Sequence, residues 1–286
     1  MPRDADAVIA GHYFLGVEGL AVIRYHLLDP ESVAPRVEEM TRIVETMDQF
    51  PNTIVVPMVR HDVDEGYTKW SESYDGPNPA IEAEELIVHP ILESLAGGAA
   101  LDAACGTGRH AAKLDELGHR VIGVDATRAM LDVATAKLPG GDFREGRLEA
   151  LPVDDNSVDV ITCSLALTHV PSLGPVMREF ARVLRPAGTI VLSDMHPVNT
   201  MLGGAIAGFP GADLTDGVPY VVNLTHQISD YIAAFNAANL TIVDCIEPVF
   251  GDAQVENVPS FAAIPEASRQ AFAGLPFLLV WRLTRS

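Results

Sequence analysis

The turn between a short apolar strand and a helix, at residues 101–110, constrains this chain more than any other feature. The run reads LDAACGTGRH, with glycines at positions 106 and 108. Glycine at these two positions lets the chain turn tightly and lets a ligand approach the backbone. Asp125 follows at the end of the next apolar segment, residues 120–125, where a carboxylate can accept hydrogen bonds from both hydroxyls of a ribose. The pattern predicts a nucleotide-type site in a βαβ unit.

On its own, this turn leaves more than one interpretation open. Gly106, Gly108 and Ala111 also satisfy the G-x-G-x-x-A pattern of dinucleotide-binding proteins, and Asp125 stands at a suitable distance for their ribose. A tight strand-to-helix turn without any ligand would use the same glycines. The turn alone therefore does not decide which cofactor is bound.

The order of the predicted elements gives the fold class. From residue 78 onward strands and helices alternate, which predicts right-handed crossovers and a parallel sheet covered on both faces. We expect an α/β protein with a Rossmann-like, doubly wound sheet of about seven strands. The predicted strands are residues 99–103, 120–125, 142–148, 157–164, 189–194, 240–249 and 277–284.

Two segments fall outside this alternation. Residues 1–66 are predicted to form a mostly helical N-terminal extension, with helical patterns at 15–28 and 35–50 and an extended segment at 52–60. Residues 67–286 then form the main domain. Within it, residues 195–227 are a long Gly- and Pro-punctuated insertion after the fifth strand, and segments of this kind are usually lids or binding loops.

Composition excludes several partners. The chain has 39 Asp and Glu against 19 Lys and Arg, a net charge of −20, which argues against nucleic acid. Three widely spaced cysteines form no disulfide or metal-ligand pattern. No run approaches the ~20 apolar residues of a membrane helix, and the N-terminus has no signal-peptide pattern, so we expect a cytoplasmic protein.

Two acidic runs have simple structural interpretations. Asp154, Asp155 and Asn156 stand between a proline and a strand, where Asp and Asn are ordinary turn residues, so we predict a turn and no metal site. The run EAEEL at residues 82–86 is expected to be the solvated first turns of a helix, where acidic residues suit the helix dipole.

From roughly residue 67 to the C-terminus, the chain resembles the class I S-adenosylmethionine-dependent methyltransferases that act on small molecules. The resemblance rests on LDAACGTG at 101–108, on Asp125, on GRLEALP at 146–152, on SVDVITCSLALTHV at 157–170 and on RVLRPAGTIVLSD at 182–194. It implies S-adenosylmethionine as the cofactor and an antiparallel last strand. Arg147 departs from the family, because many members have an acidic residue there that accepts from adenine, which arginine cannot do.

The resemblance also implies a set of cofactor-binding residues. Asp102 and the two glycines would face the methionine part, Asp125 the ribose and residues 146–149 the adenine. Tyr74 matches a tyrosine placed over the cofactor, where a ring near a sulfonium gains ~0.5–2 kcal/mol of cation–π attraction. The full set is Tyr74, Asp102, Ala103, Ala104, Gly106, Gly108, Asp125, Ala126, Met130, Arg147, Leu148, Glu149 and Ser164.

Three histidines are candidates for a catalytic base near the acceptor. His169 follows the fourth strand of the main domain, His196 comes just after the fifth, and His226 stands at the end of the insertion. His196 is the first choice, because the end of the fifth strand faces the substrate in this fold, and Asp194 could orient it. For each histidine, a purely structural role is an equally good interpretation.

The sequence therefore predicts transfer of a methyl group to an N or O atom of a small metabolite, such as a natural-product intermediate. Alternatives are a protein that binds the cofactor without methyl transfer, an NAD-dependent oxidoreductase and, less well supported, a protein methyltransferase. The apolar faces of the N-terminal helices fit a homo-oligomer and, equally, packing within their own domain.

Overall fold

The computed structural model describes residues 6–202, 206–208 and 217–285, and its helices and strands are as follows. The strands are β1 (Asp6–Ile9), β2 (Val55–Arg60), β3 (Ala99–Ala103), β4 (Arg120–Asp125), β5 (Asp142–Glu145), β6 (Val158–Ser164), β7 (Leu184–Met195), β8 (Ile206–Gly208), β9 (Val218–Val222), β10 (Leu240–Ile246) and β11 (Leu278–Arg285). The α-helices are α1 (Ala10–Tyr25), α2 (Val33–Glu45), α3 (Val63–Trp70), α4 (Pro79–Glu93), α5 (Arg109–Glu116), α6 (Arg128–Lys137), α7 (Leu173–Val183), α8 (Pro197–Met201), α9 (Ile228–Ala237), α10 (Asp252–Glu256) and α11 (Pro265–Phe272). Two single 3-10 turns are Pro30–Ser32 and Leu167–His169.

The chain divides into two compact units. The smaller unit is assembled from three stretches, Met1–Arg60, Gly208–Tyr220 and Val249–Pro276. The larger unit contains His61–Ala207, Val221–Pro248 and Phe277–Ser286. The domain boundary at residue 66 and the role of residues 195–227 as a lid stay predictions, and residues 203–205 and 209–216 of that segment lie outside the described residues.

The larger unit contains the predicted seven-stranded sheet. Its strand order is β10-β11-β7-β6-β3-β4-β5. Strands β3 to β7 pair in parallel, and β11 pairs antiparallel with both of its neighbours. The Rossmann-like fold class and the antiparallel last strand are thereby confirmed.

Both faces of this sheet are covered, as the apolar strands predict. Successive residues of a strand point to opposite faces. In β3, Leu101 packs in the same cluster as Phe180 and Trp281, whereas Ala100 packs in a second cluster with Val88. Short runs of apolar residues without polar alternation are typical of strands buried on both sides.

Helix α4 begins where the sequence places it, but its acidic run is not solvated. Asn78 caps the helix by accepting a hydrogen bond from the Ala80 N–H at 3.1 Å, as its residue type predicts. Glu84, in the EAEEL run, is fully buried. The expectation of a solvated turn is wrong for this residue, because Arg109, His110 and Ser193 supply polar partners inside the unit.

The smaller unit combines short strands with a helical core. Strand β1 pairs antiparallel with β2, which pairs in parallel with β9, and the sheet order is β1-β2-β9-β8. Helices α1, α2 and α11 enclose Phe14, Ile43 and Ala267. Arg24, in the last turn of α1, donates hydrogen bonds to the carbonyls of Gln270, Ala271 and Ala273. The two N-terminal helices agree with the sequence patterns, whereas β1 was not predicted.

Two features are absent from the described part of the chain. No helix in it is both long and apolar enough to cross a membrane. Among the same residues, no group of three or more His, Cys, Asp and Glu side chains is arranged to hold a metal ion.

Candidate active site

A cavity of about 330 Å³ lies in the larger unit at the carboxyl ends of its parallel strands. Ala104 follows β3, Asp125 ends β4, Gly146 follows β5 and Ser164 ends β6, and all four line the cavity. The carboxyl edge of an open parallel sheet is where ligands bind in this class of fold. The full lining is Val63, Tyr67, Tyr74, Ala104, Gly106, Asp125, Ala126, Thr127, Gly146, Arg147, Leu148, Glu149, Ser164, Leu165, Ala166, His169, Val170 and Pro171.

The glycine-rich turn needs its glycines for two different reasons. Gly106 and Gly108 have φ values of +53° and +80°, which side chains rarely adopt. A Cβ at Gly108 would also stand 3.1 Å from the Cβ of Ala134, so this glycine allows α6 to pack against the turn. A Cβ at Gly106 would meet no atom, which means that its free face is open toward the cavity that it lines.

Asp125 connects the second strand to this turn. One carboxylate oxygen accepts from the Gly106 N–H at 2.8 Å, and the other accepts from the Thr127 N–H at 2.8 Å. Burial raises the pKa of the Asp125 carboxyl, and these backbone hydrogen bonds act in the opposite direction. Each oxygen keeps a further lone pair, so the carboxylate can also accept hydrogen bonds from ligand hydroxyls.

The end of β6 carries an unsatisfied polar group and a strained backbone. The Ser164 hydroxyl oxygen is buried and has no hydrogen-bond partner among the described residues. The next residue, Leu165, has a φ of 54°, and Ala104, which follows the neighbouring strand β3, has a φ of 56°. Left-handed non-glycine residues each cost about 1–3 kcal/mol and cluster at functional sites. Both of these line the cavity, which indicates a binding site.

The loop after β5 provides a mixed wall. The Gly146 N–H donates to the Asp125 carbonyl at 2.9 Å, which ties this loop to β4. Leu148 is buried, whereas the side chains of Arg147 and Glu149 are exposed. All four residues of this loop line the cavity.

Aromatic side chains from α3 and the following turn form another wall. The Trp70 ring contacts two tyrosine rings. Its centroid lies 5.7 Å from that of Tyr67 and 4.8 Å from that of Tyr74. Both tyrosines line the cavity, whereas Trp70 is buried behind them. Tyr67 is not among the site residues predicted from the sequence.

Of the three predicted histidines, His169 is the one that lines the cavity. Its Nε2 lies 2.7 Å from the Tyr67 hydroxyl oxygen. Burial lowers the pKa of His169 to about 4, although the Val222 carbonyl acts in the opposite direction. The imidazole is therefore neutral at pH 7 and can accept a proton.

The other two histidines make structural contacts and do not appear in the cavity lining. His196 caps α8, because its Nδ1 accepts from the Val198 N–H at 3.1 Å, and its Nε2 lies 2.9 Å from Glu247. His226 Nε2 donates to the carbonyls of Leu167 and Val170, at 3.1 and 2.9 Å. The first choice of His196 as base stays a prediction.

Most of the predicted cofactor-binding residues come together at the cavity, and four do not. Tyr74, Ala104, Gly106, Asp125, Ala126, Arg147, Leu148, Glu149 and Ser164 line it. The lining does not include Asp102, Ala103, Gly108 and Met130. Asp102 is buried and accepts from the Thr162 hydroxyl at 3.0 Å, which joins β3 to β6.

Comparison with a protein-family model supports the interpretation of this site. Residues 101–192 match the model described as "Methyltransferase domain". The match starts on β3, includes the glycine-rich turn and Asp125, and ends in β7. It therefore covers the strands that form the cavity.

Two curated proteins and one solved structure are similar to the chain. It is 35% identical over 130 residues to a malonyl-[acyl-carrier protein] O-methyltransferase of Yersinia pestis, covering 45% of this chain and 48% of that protein. It is 36% identical over 104 residues to a demethylmenaquinone methyltransferase of Chlorobaculum tepidum, covering 36% and 43% of the two chains. An S-adenosylmethionine-dependent methyltransferase from Mesorhizobium loti matches in structure with a TM-score of 0.52 at 22% identity, covering 70% of this chain and 97% of that one. The chain spans about half the length of the curated relatives that it matches.

Proposed function

Because this chain carries a class I S-adenosylmethionine-dependent methyltransferase domain, we propose that it methylates an O or N atom of a small metabolite with S-adenosylmethionine as the donor. The observation that carries the proposal is the cavity at the strand ends, lined by a half-buried acceptor, Asp125, and an unsatisfied hydroxyl, Ser164. A natural-product intermediate remains an example of the acceptor class.

The residues of the cavity fit an adenosyl cofactor. Asp125 offers both carboxylate oxygens to ribose hydroxyls while it holds the glycine-rich turn. A ligand hydroxyl or amine would satisfy the Ser164 oxygen, whose burial without a partner otherwise costs about 1–3 kcal/mol. Leu148 supplies an apolar surface for a base, and Glu149 supplies an acceptor for an amino group, which Arg147 cannot.

Bound S-adenosylmethionine supplies an activated methyl group on a positively charged sulfur, so the protein needs mainly to align the acceptor and exclude water. Tyr67, Tyr74 and Val63 cover one wall with rings and an aliphatic side chain. Aromatic faces attract a cation, and they also exclude water from the reacting atoms. Neutral His169 is placed to receive the proton that the acceptor loses.

The acceptor class follows from the lining. Among the residues that the structure describes, no lysine lines the cavity, and the one arginine that does, Arg147, has an exposed side chain. The lining also includes the apolar residues Val63, Leu165, Ala166, Val170 and Pro171. An acceptor with an apolar body and one nucleophilic atom suits this surface better than a phosphorylated or strongly anionic molecule.

The first test is isothermal titration of the purified protein with S-adenosylhomocysteine, with NAD as the control ligand. We expect a dissociation constant of roughly micromolar order for the former and no heat from NAD. Asp125→Asn removes a charged acceptor, which should weaken binding at least tenfold, roughly the value of 1.5–3 kcal/mol for such a hydrogen bond.

The matched control is Asp132→Asn, because Asp132 stands on the surface of α6 and pairs with Arg128. This variant should bind like the wild type. Binding of NAD in place of S-adenosylhomocysteine would support the oxidoreductase alternative. Tight binding without turnover of any acceptor would favour a protein that binds the cofactor without methyl transfer.

A further inference from the structure

The Tyr67 hydroxyl and the His169 imidazole form a hydrogen-bonded pair in the wall of the cavity. The distance from Oη to Nε2 is 2.7 Å, and the two rings meet edge to face with centroids 5.3 Å apart. Tyr67 lies on α3 and His169 on the turn after β6, 102 residues later. Both residues line the cavity, so the pair is open to a ligand bound there.

The turn that carries His169 is held by side-chain and backbone contacts on several sides. Asp194, at the end of β7, accepts from the Thr168 N–H at 2.8 Å. His226 donates to the carbonyls of Leu167 and Val170, the residues on either side of Thr168 and His169. The Leu224 N–H donates to the Thr168 carbonyl at 2.7 Å. The position of His169 is therefore fixed by three contacts that do not involve Tyr67, which is what a preorganised group requires.

The hydrogen bond between the pair has a defined direction. Burial holds the pKa of the Tyr67 hydroxyl well above its ordinary value, and it lowers that of His169 to about 4. The phenol is therefore protonated and the imidazole is neutral at pH 7, and in the tautomer that carries its proton on Nδ1 the Tyr67 O–H donates to Nε2. The phenol oxygen keeps two lone pairs, and these can accept a hydrogen bond from a ligand.

We propose that Tyr67 and His169 act as a proton relay that selects acceptors with a hydroxyl group over acceptors with an amine. This inference rests on the proposed function and narrows its acceptor from oxygen or nitrogen to oxygen. The acceptor O–H bond breaks as its proton passes to the Tyr67 oxygen, while the Tyr67 proton passes to His169 Nε2. The acceptor oxygen keeps the electron pair for its new bond to carbon, and the imidazolium later releases the proton to solvent.

The relay suits oxygen because of the strength of the base that it contains. A hydroxyl oxygen that gains a methyl group becomes strongly acidic, so even a weakly basic imidazole takes its proton. An alkylamine that gains a methyl group has a pKa close to the ~10.4 of lysine. A base whose pKa is about 4 cannot remove a proton from such an ammonium ion. It cannot deprotonate an ammonium substrate before the reaction either.

The experiment compares Tyr67→Phe and His169→Asn with the wild type, with Tyr25→Phe in the smaller unit as a control for the same chemical change. Every variant is first titrated with S-adenosylhomocysteine and checked by thermal melting. Turnover of S-adenosylmethionine is then measured with matched probes, benzyl alcohol against benzylamine and 2-naphthylmethanol against 2-naphthylmethylamine, because these amines are alkylamines of the strongly basic kind. Binding of 2-naphthylmethanol to protein saturated with S-adenosylhomocysteine gives a readout that is independent of activity.

We expect all variants to bind S-adenosylhomocysteine within threefold of the wild type. Tyr67→Phe and His169→Asn should lower turnover of the hydroxyl probes at least a hundredfold, the usual size of a general-base effect. Tyr67→Phe should also weaken binding of 2-naphthylmethanol about two- to tenfold, the value of one hydrogen bond, and leave binding of its methyl ether unchanged. Imidazole in the buffer should restore part of the activity of a His169→Ala variant, which a purely structural role would not allow.

Faster turnover of the amine probes than of the hydroxyl probes would overturn the relay. So would a Tyr67→Phe variant that keeps the turnover and the 2-naphthylmethanol affinity of the wild type. Failure of the wild type to bind S-adenosylhomocysteine is a different result, because it contradicts the proposed function itself.

Discussion

Replacement of Glu84 by glutamine should destabilise the larger unit by about 3 kcal/mol. Glu84 is fully buried, and its carboxylate lies 2.6 Å from the Arg109 guanidinium, 3.3 Å from His110 Nε2 and 2.6 Å from the Ser193 hydroxyl. Removal of one partner of a buried ion pair costs about 3–5 kcal/mol, because the other charge stays buried. Glutamine still accepts from Ser193, and Arg109 keeps Glu85 at 3.3 Å, so we expect the lower end of that range.

The effect should depend on pH in a defined direction. Burial raises the pKa of the Glu84 carboxyl, but His110, the Arg109 guanidinium and the Ser193 hydroxyl together lower it by more. The net pKa therefore lies well below the ordinary value of 4.5. A carboxyl whose pKa is lower in the folded state stabilises the fold above its unfolded pKa and loses this contribution as the pH falls. The difference between wild type and Glu84→Gln should therefore be full at pH 7 and shrink below about pH 4.5.

Urea unfolding followed by tryptophan fluorescence reports on the larger unit, which contains Glu84. The chain has two tryptophans, Trp70 and Trp281, and both belong to the larger unit. With a urea dependence of about 2–3 kcal/mol/M, a loss of ~3 kcal/mol moves the midpoint by roughly 1–1.5 M. Glu85→Gln is the matched control, because Glu85 contacts the same arginine from a partly exposed position, and it should shift the midpoint by less than about 0.3 M. Equal shifts for the two variants, or a shift that does not change between pH 7 and pH 4, would refute the assignment of this energy to the buried carboxylate.

Two further substitutions test the turn and the histidines. Gly108→Ala should lower the free energy of unfolding by about 1 kcal/mol more than Gly118→Ala. Both glycines have φ near +80°, but only a Cβ at position 108 would press on Ala134, at 3.1 Å. Equal losses would show that the backbone angle alone sets the cost. His196→Ala should lower stability by about 1 kcal/mol through loss of its cap on α8, and change the affinity for S-adenosylhomocysteine and the turnover by less than threefold. The sequence-based hypothesis makes the opposite prediction, in which turnover falls far more than affinity, so a kinetic comparison with His169→Asn decides between the two histidines.

Local signals in the sequence were enough to predict the main sheet and its glycine-rich turn. Strand β4 has the predicted bounds, and α4 begins after the predicted cap, because glycines, prolines and capping residues act on their immediate neighbours. The buried state of Glu84 could not be predicted in this way, because its partners come from α5 and β7, far along the chain. The pairing of Tyr67 with His169 could not be predicted for the same reason, because 102 residues separate the two in the chain.

The three-stretch assembly of the smaller unit has a consequence for how the protein is made. Arg24 in α1 finds its carbonyl partner at Gln270, 246 residues later in the chain. At a translation rate of about 5–20 residues per second, the first helix waits roughly 12–50 s after its own synthesis before that partner exists. During this interval the apolar residues Phe14 and Val17 have no α11 to pack against. The N-terminal segment can therefore complete its packing only after α11 has been synthesised.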